Sequence, residues 1–379
     1  MRCCDALIVG GGPAGSSCAR RLSEHGFDVV LLDQACFPRD KTCGGWITPA
    51  VVELLGLDLA EYARTRVLQP ITGFRVACGD RPEVRVHFND VVSYAIRRCE
   101  FDHYLLARSR ADVHEGIRVE SIEQNGSYWV LNGDFRSPIL VGAGGHFCPV
   151  ARKLGARTAG EQPVIAQEIE WPCVSQGDPA EPRLLFFPDR SGYAWCLQKQ
   201  GFVNAGLGRL GPGSLAPYRS CFTSWLRSSR TLPSEPPPLH GHAYLTADRS
   251  RRRVSDDGVL LVGDSAGLAD PRSGEGIRQA VESALLAAET IAQARQDRSK
   301  LDGYAEKLRA RYAARTIDWP VPGFIARGLM SMPVFVREVV VKRWFLHTND
   351  RSVTDFSRRY GQSPADRAPT PSELTRTRS

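Results

Sequence analysis

The stretch ALIVGGGPAGSSCARRL, residues 6–22, decides the fold of this 379-residue chain. Four apolar residues run directly into three consecutive glycines, and a segment compatible with a helix follows. Residues 5–9 are predicted to form a buried strand, residues 14–25 a helix and residues 28–33 a second buried strand. This order is a β-α-β unit, in which the two strands lie parallel in one sheet.

The glycines Gly10, Gly12 and Gly15 have the spacing G-x-G-x-x-G where the first strand meets the helix. In that arrangement the first glycine permits a tight turn, the second lets a pyrophosphate approach the backbone, and the third lets the helix pack closely on the strand. The helix N-terminus then faces the phosphate charge. Asp33 ends the second strand, where it is placed to accept hydrogen bonds from a ribose. The stretch therefore predicts a dinucleotide site.

A second G-x-G-x-x-G occurs at Gly206, Gly208 and Gly211. It follows an apparent strand, but Pro212 and Gly213 come next instead of a helix. A dinucleotide site needs the strand, the helix and the acidic residue in order. We interpret this copy as the end of a β-hairpin.

Composition is that of an ordinary globular protein, with 42% apolar and 24% charged residues. The formal charge of +7 comes mainly from dispersed arginines, which suits anionic cofactors or an anionic membrane surface better than nucleic acid. The eleven cysteines include no C-x-x-C pair, so we expect free thiols and no metal site. Without a signal sequence or a run of eighteen apolar residues, we expect a cytoplasmic protein. Peripheral contact with a membrane stays open, and so does the oligomeric state.

The middle of the chain has a different pattern. Residues 117–131 alternate around Asn125-Gly126 and predict a β-hairpin, and residues 137–145 return as a buried strand. Short runs broken by proline and glycine between residues 164 and 244 predict an antiparallel sheet. We expect this sheet to form a substrate domain.

The dinucleotide domain resumes late in the chain, with a buried strand at residues 258–263 and an alanine-rich helix at residues 276–295. The predicted fold class is α/β, with a discontinuous, three-layer Rossmann-like domain, an antiparallel substrate domain and a helical C-terminal region. We expect residues 1–80, 97–160 and 247–300 in the cofactor domain, 81–96 and 161–246 in the substrate domain, 301–361 in the helical region and 362–379 in a disordered tail.

The late strand delivers Asp264 to the sheet edge, where it can accept a hydrogen bond from a ribityl or ribose hydroxyl. Gly274 and Gly276 then begin a helix whose free N–H groups are suited to negative charge on a reduced flavin. Together with the N-terminal glycine loop, this segment resembles the FAD-binding module of the para-hydroxybenzoate hydroxylase superfamily.

Within that superfamily the chain is most similar to the geranylgeranyl reductase group, over roughly residues 5–295. Four segments carry the resemblance: PRDKTCGG (38–45), RRCEFD (97–102), YAWCLQK (193–199) and GLADPRSGEGI (267–277). The resemblance implies FAD as cofactor, NAD(P)H as the external reductant and a large apolar substrate of prenyl or polyketide type. The FAD contacts it implies are Gly10, Gly12, Pro13, Ala14, Gly15, Asp33, Gln34, Arg39, Cys43, Gly44, Arg98, Gly144, Asp264, Gly274, Gly276 and Ile277.

The chain departs from the family pattern at two places. The aspartate-glycine motif of the superfamily is replaced by Gly144-Gly145, which puts the handling of NAD(P)H in doubt. His146 is an alternative polar contact to the flavin there. Leu197-Gln198 replace the family's phenylalanine-proline pair, so the wall of the substrate cavity differs from that of the family.

Three residues are candidates for the catalytic centre. Cys43 could protonate a carbanion after hydride transfer, although a buried packing role is also open. Tyr193 and Trp195 lie two residues apart on one strand face and could wall a hydrophobic pocket, or could simply belong to the core. His240 and His242 share a strand face without an accompanying carboxylate or thiolate, so we expect no metal there.

The leading hypothesis is an FAD-dependent reductase that transfers hydride to an alkene of an apolar substrate. An FAD-dependent monooxygenase is the alternative, because the same cofactor site serves both reactions. A flavin-dependent halogenase or a non-catalytic flavoprotein is less favoured. The apolar runs of residues 322–347 are interrupted by basic residues, which predicts either a helical cap or a surface that contacts lipid.

Overall fold

The computed structural model describes residues 1–79, 82–156, 160–173, 178–189, 191–211, 213–228, 237–295, 298–313 and 351–361. Within these ranges lie twenty strands, β1 to β20 in chain order: Arg2–Cys3, Ala6–Val9, Val29–Leu32, Trp46–Ile47, Leu68–Ile71, Gly73–Cys78, Val84–His87, Ser93–Ile96, Asp112–His114, Ile122–Asn125, Tyr128–Leu131, Phe135–Ser137, Leu140–Gly142, Val164–Pro172, Arg183–Phe186, Gly192–Lys199, Phe202–Leu210, His240–Tyr244, Ser255–Asp256 and Val259–Leu261. The described helices, α1 to α9, are Pro13–Glu24, Pro49–Leu55, Leu59–Ala63, Arg98–Ala107, Pro149–Lys153, Ala216–Ser228, Ile277–Gln293, Tyr304–Ala313 and Arg351–Tyr360.

The central sheet has six strands in the order β19-β20-β13-β2-β3-β9. All neighbouring pairs are parallel except β19 and β20. Strands β2 and β3 consist entirely of buried apolar residues, as expected of parallel strands covered on both faces. The predicted β-α-β unit is confirmed as β2, α1 and β3. Because the strands are parallel, their carboxyl ends meet at one edge, and the glycine loop lies there.

Two further layers cover the central sheet. Helices α1 and α7 pack against each other, and their apolar side chains join the core of the sheet. The four-stranded sheet β1-β12-β11-β10 adds Trp129, Leu131 and Phe135 to the same core. Its strands β10 and β11 pair as the predicted hairpin, with Asn125 opposite Tyr128. The three-layer α/β fold is therefore confirmed.

The seven-stranded sheet has the order β18-β14-β17-β16-β15-β6-β7. The strands between residues 164 and 244 pair antiparallel, as predicted. Helix α6 was not predicted. Its residues Phe222 and Leu226, with Leu215 just before the helix, cover one face of this sheet. The helical pattern in its sequence is weak, because α6 mixes polar and apolar residues and has a proline in its first turn.

The sheet also recruits two early strands. β6 pairs parallel with β15, and β7 pairs antiparallel with β6. The expected boundary at residue 80 therefore falls between two paired strands of one sheet. Strand β8, expected in the substrate domain, pairs with β4 and β5 in a separate three-stranded sheet.

The second glycine motif lies at the end of the hairpin formed by β16 and β17, with Gly211 directly after β17. Gly206 and Gly208 belong to β17, which pairs with β14 on one side and β16 on the other. A Cβ at Gly206 would overlap the ring of Trp195, so this glycine makes room for the indole. The position of the motif agrees with the hairpin-end interpretation, because β16 and β17 form an antiparallel hairpin that ends there.

Helix α8 and helix α9 belong to the expected helical C-terminal region. The apolar runs of residues 322–347 and the tail at 362–379 lie outside the described residues. Across the described part of the chain, every helix is too short or too polar to cross a bilayer.

Candidate functional site

A cavity of about 1230 Å³ lies between the carboxyl edge of the central sheet and the seven-stranded sheet. It exceeds the roughly 300–1,000 Å³ typical of pockets for a single small ligand. Apart from Gly15 and the alternative contact His146, all the predicted site residues line it: Gly10, Gly12, Pro13, Ala14, Asp33, Gln34, Arg39, Cys43, Gly44, Arg98, Gly144, Tyr193, Trp195, Asp264, Gly274, Gly276 and Ile277. The structure thus brings together residues from six distant segments.

The three glycines of the N-terminal loop have different surroundings. Gly10 has a φ of +111°, and a Cβ there would lie 2.5 Å from the carbonyl oxygen of Ala143. A Cβ at Gly15 would overlap the carbonyl oxygen of Gly10. At Gly12, in contrast, the nearest atom is Nη2 of Arg39 at 3.5 Å. Gly10 and Gly15 therefore serve the fold, whereas Gly12 opens the backbone to the cavity.

Gly12 is also the N-cap of α1, and no side chain caps the first turn of this twelve-residue helix. Its free N–H groups and the positive end of the helix dipole are therefore available to an anion. Asp33, at the end of β3, accepts hydrogen bonds from the backbone N–H of Gly11 at 2.6 Å and of Ala35 at 2.8 Å. The carboxylate fixes the shape of the loop as well as facing the cavity.

Two arginines share one buried carboxylate beside the loop. Arg98 donates from Nε and Nη2 to the two oxygens of Asp102, each at 2.8 Å, and Asp102 is fully buried. Nη1 of Arg39 lies 3.3 Å from the same carboxylate. Burial alone would lower the pKa of Arg98, but Asp102 and the nearby Cys43 raise it above its ordinary value. Two positive charges against one negative leave a net positive charge at the cavity wall, which suits a diphosphate.

Asp264, Lys41 and His242 meet at the other wall. Nζ of Lys41 lies 3.0 Å from Nε2 of His242, and that nitrogen lies 3.5 Å from Oδ2 of Asp264. Burial would raise the pKa of Asp264, but the hydrogen bond and charge of His242, with Lys41 and Arg98, hold it below its ordinary value. Burial and the charge of Arg98 lower the pKa of Lys41 to about 8.

Lys41 was not predicted as a site residue, although it lies in the matched segment PRDKTCGG. His242 was considered only as a possible metal ligand. The structure places His242 on edge strand β18, facing the cavity. Only the tertiary fold brings the two together, because 201 residues separate them.

Cys43 is held by a network that the sequence also missed. The carboxylate of Glu168 accepts from the backbone N–H of Cys43 at 2.6 Å and from Nδ2 of Asn204 at 3.3 Å. Oδ1 of Asn204 accepts from the indole N–H of Trp195 at 2.8 Å. Burial raises the pKa of Glu168. The alternation of β14 predicts that Glu168 shares a strand face with other residues, but not that it reaches the Cys43 loop.

The far end of the cavity is apolar and aromatic. Tyr193 and Trp195 project from β16 with ring centroids 6.0 Å apart, and both line the cavity, as the hypothesis of an aromatic wall requires. Trp46, Leu184 and Leu197 complete this wall. The cavity therefore has a polar end at the glycine loop and an apolar end at the seven-stranded sheet.

The expectation for His146 is wrong. Its ring is buried, and Nδ1 lies 3.3 Å from Nη2 of Arg252, whose guanidinium is bound by Glu161. Phe147 lines the cavity in its place and is 59% exposed. Gly144 and Gly145 line the cavity through backbone alone.

These features fit FAD. The bare backbone at Gly12 and the uncapped α1 N-terminus offer a diphosphate site, reinforced by Arg39 and Arg98. Asp33 and Asp264 lie on either side of this site with carboxylates that suit hydroxyl donors. Gly276 begins α7 without a side-chain cap, which leaves N–H groups for the electron-rich part of a flavin.

The model of the FAD-binding domain family matches residues 3–319. The chain is 31% identical over 318 residues to the menaquinone reductase of Mycobacterium tuberculosis, covering 76% of each protein. It is 27% identical over 352 residues to digeranylgeranylglycerophospholipid reductase 2 of Methanothermobacter thermautotrophicus, covering 82% of each.

Solved structures show the same fold at lower identity. A geranylgeranyl bacteriochlorophyll reductase-like protein from Thermoplasma acidophilum has a TM-score of 0.71 at 17% identity, over 97% of this chain and 98% of that one. The halogenase PltM has a TM-score of 0.70 at 16% identity, over 94% and 86%. At these identities the likeness establishes the fold alone.

Proposed function

The chain belongs to the FAD-binding domain family and is an FAD-dependent oxidoreductase, and on that premise we propose that it reduces a carbon–carbon double bond in a large apolar substrate of prenyl type. The observation that carries the proposal is the two-ended cavity, in which one continuous space joins a diphosphate site to an aromatic pocket. The names of the relatives, reductases of menaquinone and of a digeranylgeranyl lipid, support the same substrate class.

Bound FAD would supply hydride, and NAD(P)H is the reductant we expect to reload it. The residues of the chain have the remaining tasks. Gly12, Arg39 and Arg98 bind the diphosphate, while Asp33 and Asp264 accept from the sugar hydroxyls. Tyr193 and Trp195 wall the apolar end and exclude water from the double bond.

Cys43 is proposed to hold the proton at its Sγ. It lies on the cavity wall between the two ends, and Glu168 fixes its backbone. The thiol accepts from the backbone N–H of Gly45 at 3.4 Å, which orients the sulfur. Proton delivery to one carbon of the double bond completes the addition of hydrogen that the hydride begins.

The deciding experiment identifies the product. The FAD-loaded enzyme is reduced without oxygen, mixed with prenyl lipids or prenylated quinones, and followed by flavin absorbance and product mass. We expect rapid reoxidation by the alkene and a product that has gained two hydrogen atoms. The variant Gly12→Val, which should not hold FAD, is the control. In a parallel run with ¹⁸O₂, a product carrying the labelled oxygen would establish a monooxygenase and refute the reductase.

Peripheral contact with the membrane is part of the proposal, because a prenyl lipid must leave a bilayer to reach the cavity. Co-sedimentation of the full chain with anionic and neutral vesicles tests it. Binding to neither would show that the substrate arrives by another route.

A further inference from the structure

The three residues Lys41, His242 and Asp264 form a contact chain at the cavity wall. Lys41 lies on the loop before β4, His242 on the edge strand β18 and Asp264 in the short 3-10 helix Gly263–Ser265 that follows β20. A single ring nitrogen, Nε2 of His242, faces both the Lys41 amine at 3.0 Å and the Asp264 carboxylate at 3.5 Å. All three line the cavity.

This geometry permits two arrangements of one proton. If the Lys41 ammonium donates to a neutral His242 ring, Nε2 acts as the acceptor. If Nε2 carries the proton, it can donate to Asp264 or to a neutral Lys41 amine. Each arrangement keeps the Asp264 carboxylate next to one positive charge. The proton can therefore move between Nζ and Nε2 without separating charge.

The surroundings of Lys41 make its ammonium group a stronger acid than that of an exposed lysine. Burial and the positive charge of Arg98 on α4 disfavour its ammonium form, whereas the negative or ionisable groups Asp264, Cys43 and Asp102 favour it only in part. The resulting pKa of about 8 lies below that of an ordinary lysine. At neutral pH the amine holds a proton that it gives up more easily than an exposed lysine does.

The histidine side of the pair leads towards solvent. β18 is the last strand of the seven-stranded sheet, and its residues His240 and Gly241 are exposed. The side chain of His242 is 18% exposed, between that edge and the cavity. Water at the sheet edge can therefore reach the ring of His242 and reprotonate the pair.

We propose that Lys41 and His242 act as a proton relay that loads the cavity with the proton consumed when the double bond is reduced. This inference rests on the proposed function. Hydride forms one C–H bond, a proton that leaves Nζ of Lys41 balances the second, directly or by reloading the Cys43 thiol, and the neutral pair regains a proton from water through His242. The electron pair comes from NAD(P)H by way of the cofactor, so atoms and charge balance.

Two variants and a control test the relay in the FAD-loaded full chain. Lys41→Ala should slow alkene reduction at least tenfold with FAD affinity kept, and small primary amines should restore the rate. Lys300→Ala removes an exposed lysine elsewhere, and its rate should neither fall nor respond to amines. Because the pair acts as one unit, the double variant Lys41→Ala/His242→Gln should be no slower than the slower single variant. Additive losses, or no rescue by amines, would overturn the relay.

A labelling measurement does not depend on turnover. Acylation of Lys41 is followed by peptide mass spectrometry as a function of pH, with Lys300 as the internal reference. We expect half-maximal labelling of Lys41 near pH 8, well below the roughly 10.4 of an unperturbed lysine. Coincident labelling curves would refute the pair even if the enzyme reduces alkenes. A low midpoint in a protein that reduces no alkene would instead support the pair and refute the proposed function.

Discussion

The carboxylate of Glu168 accepts a hydrogen bond of 2.6 Å from the backbone N–H of Cys43, so a strand of the seven-stranded sheet fixes a loop of the cofactor site. We expect Glu168→Ala to destabilise the protein by about 1–3 kcal/mol, because the N–H of Cys43 and the amide of Asn204 lose a buried acceptor. Urea unfolding measures the change. Glu168→Gln keeps one acceptor and should cost less; equal losses would show that the hydrogen bond is not the cause.

Substitutions in the glycine loop should separate cofactor binding from folding. Gly12→Val has room in the protein itself, so we expect a folded protein that does not bind FAD. Gly15→Val would force a side chain into the carbonyl of Gly10, and we expect it to unfold the domain. Circular dichroism and flavin fluorescence report the two properties. A yellow Gly12→Val protein would place the diphosphate elsewhere.

Cys43→Ser should slow the reoxidation of reduced enzyme by its alkene substrate while FAD affinity stays within about twofold. The reason is that a hydroxyl is a much weaker acid than a thiol, and only the step that moves a proton depends on it. Anaerobic stopped-flow absorbance measures the rate. If reoxidation is unchanged, Cys43 has no part in the chemistry.

Trp195→Ala should weaken the binding of an apolar substrate at least tenfold, which corresponds to about 1.4 kcal/mol, and leave FAD binding nearly unchanged. The indole forms part of the apolar wall and donates to Asn204 at 2.8 Å, so the variant loses both contacts. Tyr128→Ala, on the distant strand β11, is the matched aromatic control. KM values for substrates of increasing chain length provide the measurement, and an unaltered KM would exclude the indole from the substrate pocket.

Lys41→Met should change the pH dependence of stability. The pKa of Lys41 is about 8 in the folded protein and near 10.5 in the unfolded chain, so the unfolded state holds more protons between these values. The wild type therefore gains about 3 kcal/mol of stability from this group as the pH rises from 8 to 10.5. The same contribution is lost when the pH falls over this range, and the loss is complete once the pH is below 8. The advantage of the methionine variant should shrink by that amount over the same range. A pH-independent difference would contradict the low pKa.

Local signals were sufficient for much of the fold. The β-α-β unit follows from two apolar runs and a glycine loop that are adjacent in sequence, and the helix α7 follows from its long alanine-rich pattern. The lining of the cavity was also largely predictable, because parallel strands bring their carboxyl ends to one edge. Asp264 follows from its place after the late buried strand, whereas Arg98 came from the resemblance to a known family.

The misses share a physical cause. Lys41 and His242, or Glu168 and Cys43, interact across more than a hundred residues, and nothing in either segment specifies its partner. His146 follows Gly144-Gly145 in sequence, but its ring contacts Arg252, which lies in a run of three arginines far along the chain. The pairing of β6 with β15 is missed for the same reason, because the sequence of a strand does not specify the strand with which it pairs.

The contact between α1 and α7 has a consequence for synthesis of the protein on the ribosome. β2, β3 and α1 emerge first, yet the helix that covers them is made near residue 290. At a synthesis rate of about 5–20 residues per second, the apolar surface of the β2-α1-β3 unit stays exposed for on the order of ten seconds to a minute before α7 is made. The nascent chain is thus a client for chaperones during that interval, and truncation before α7 should give an insoluble product rather than a smaller folded domain.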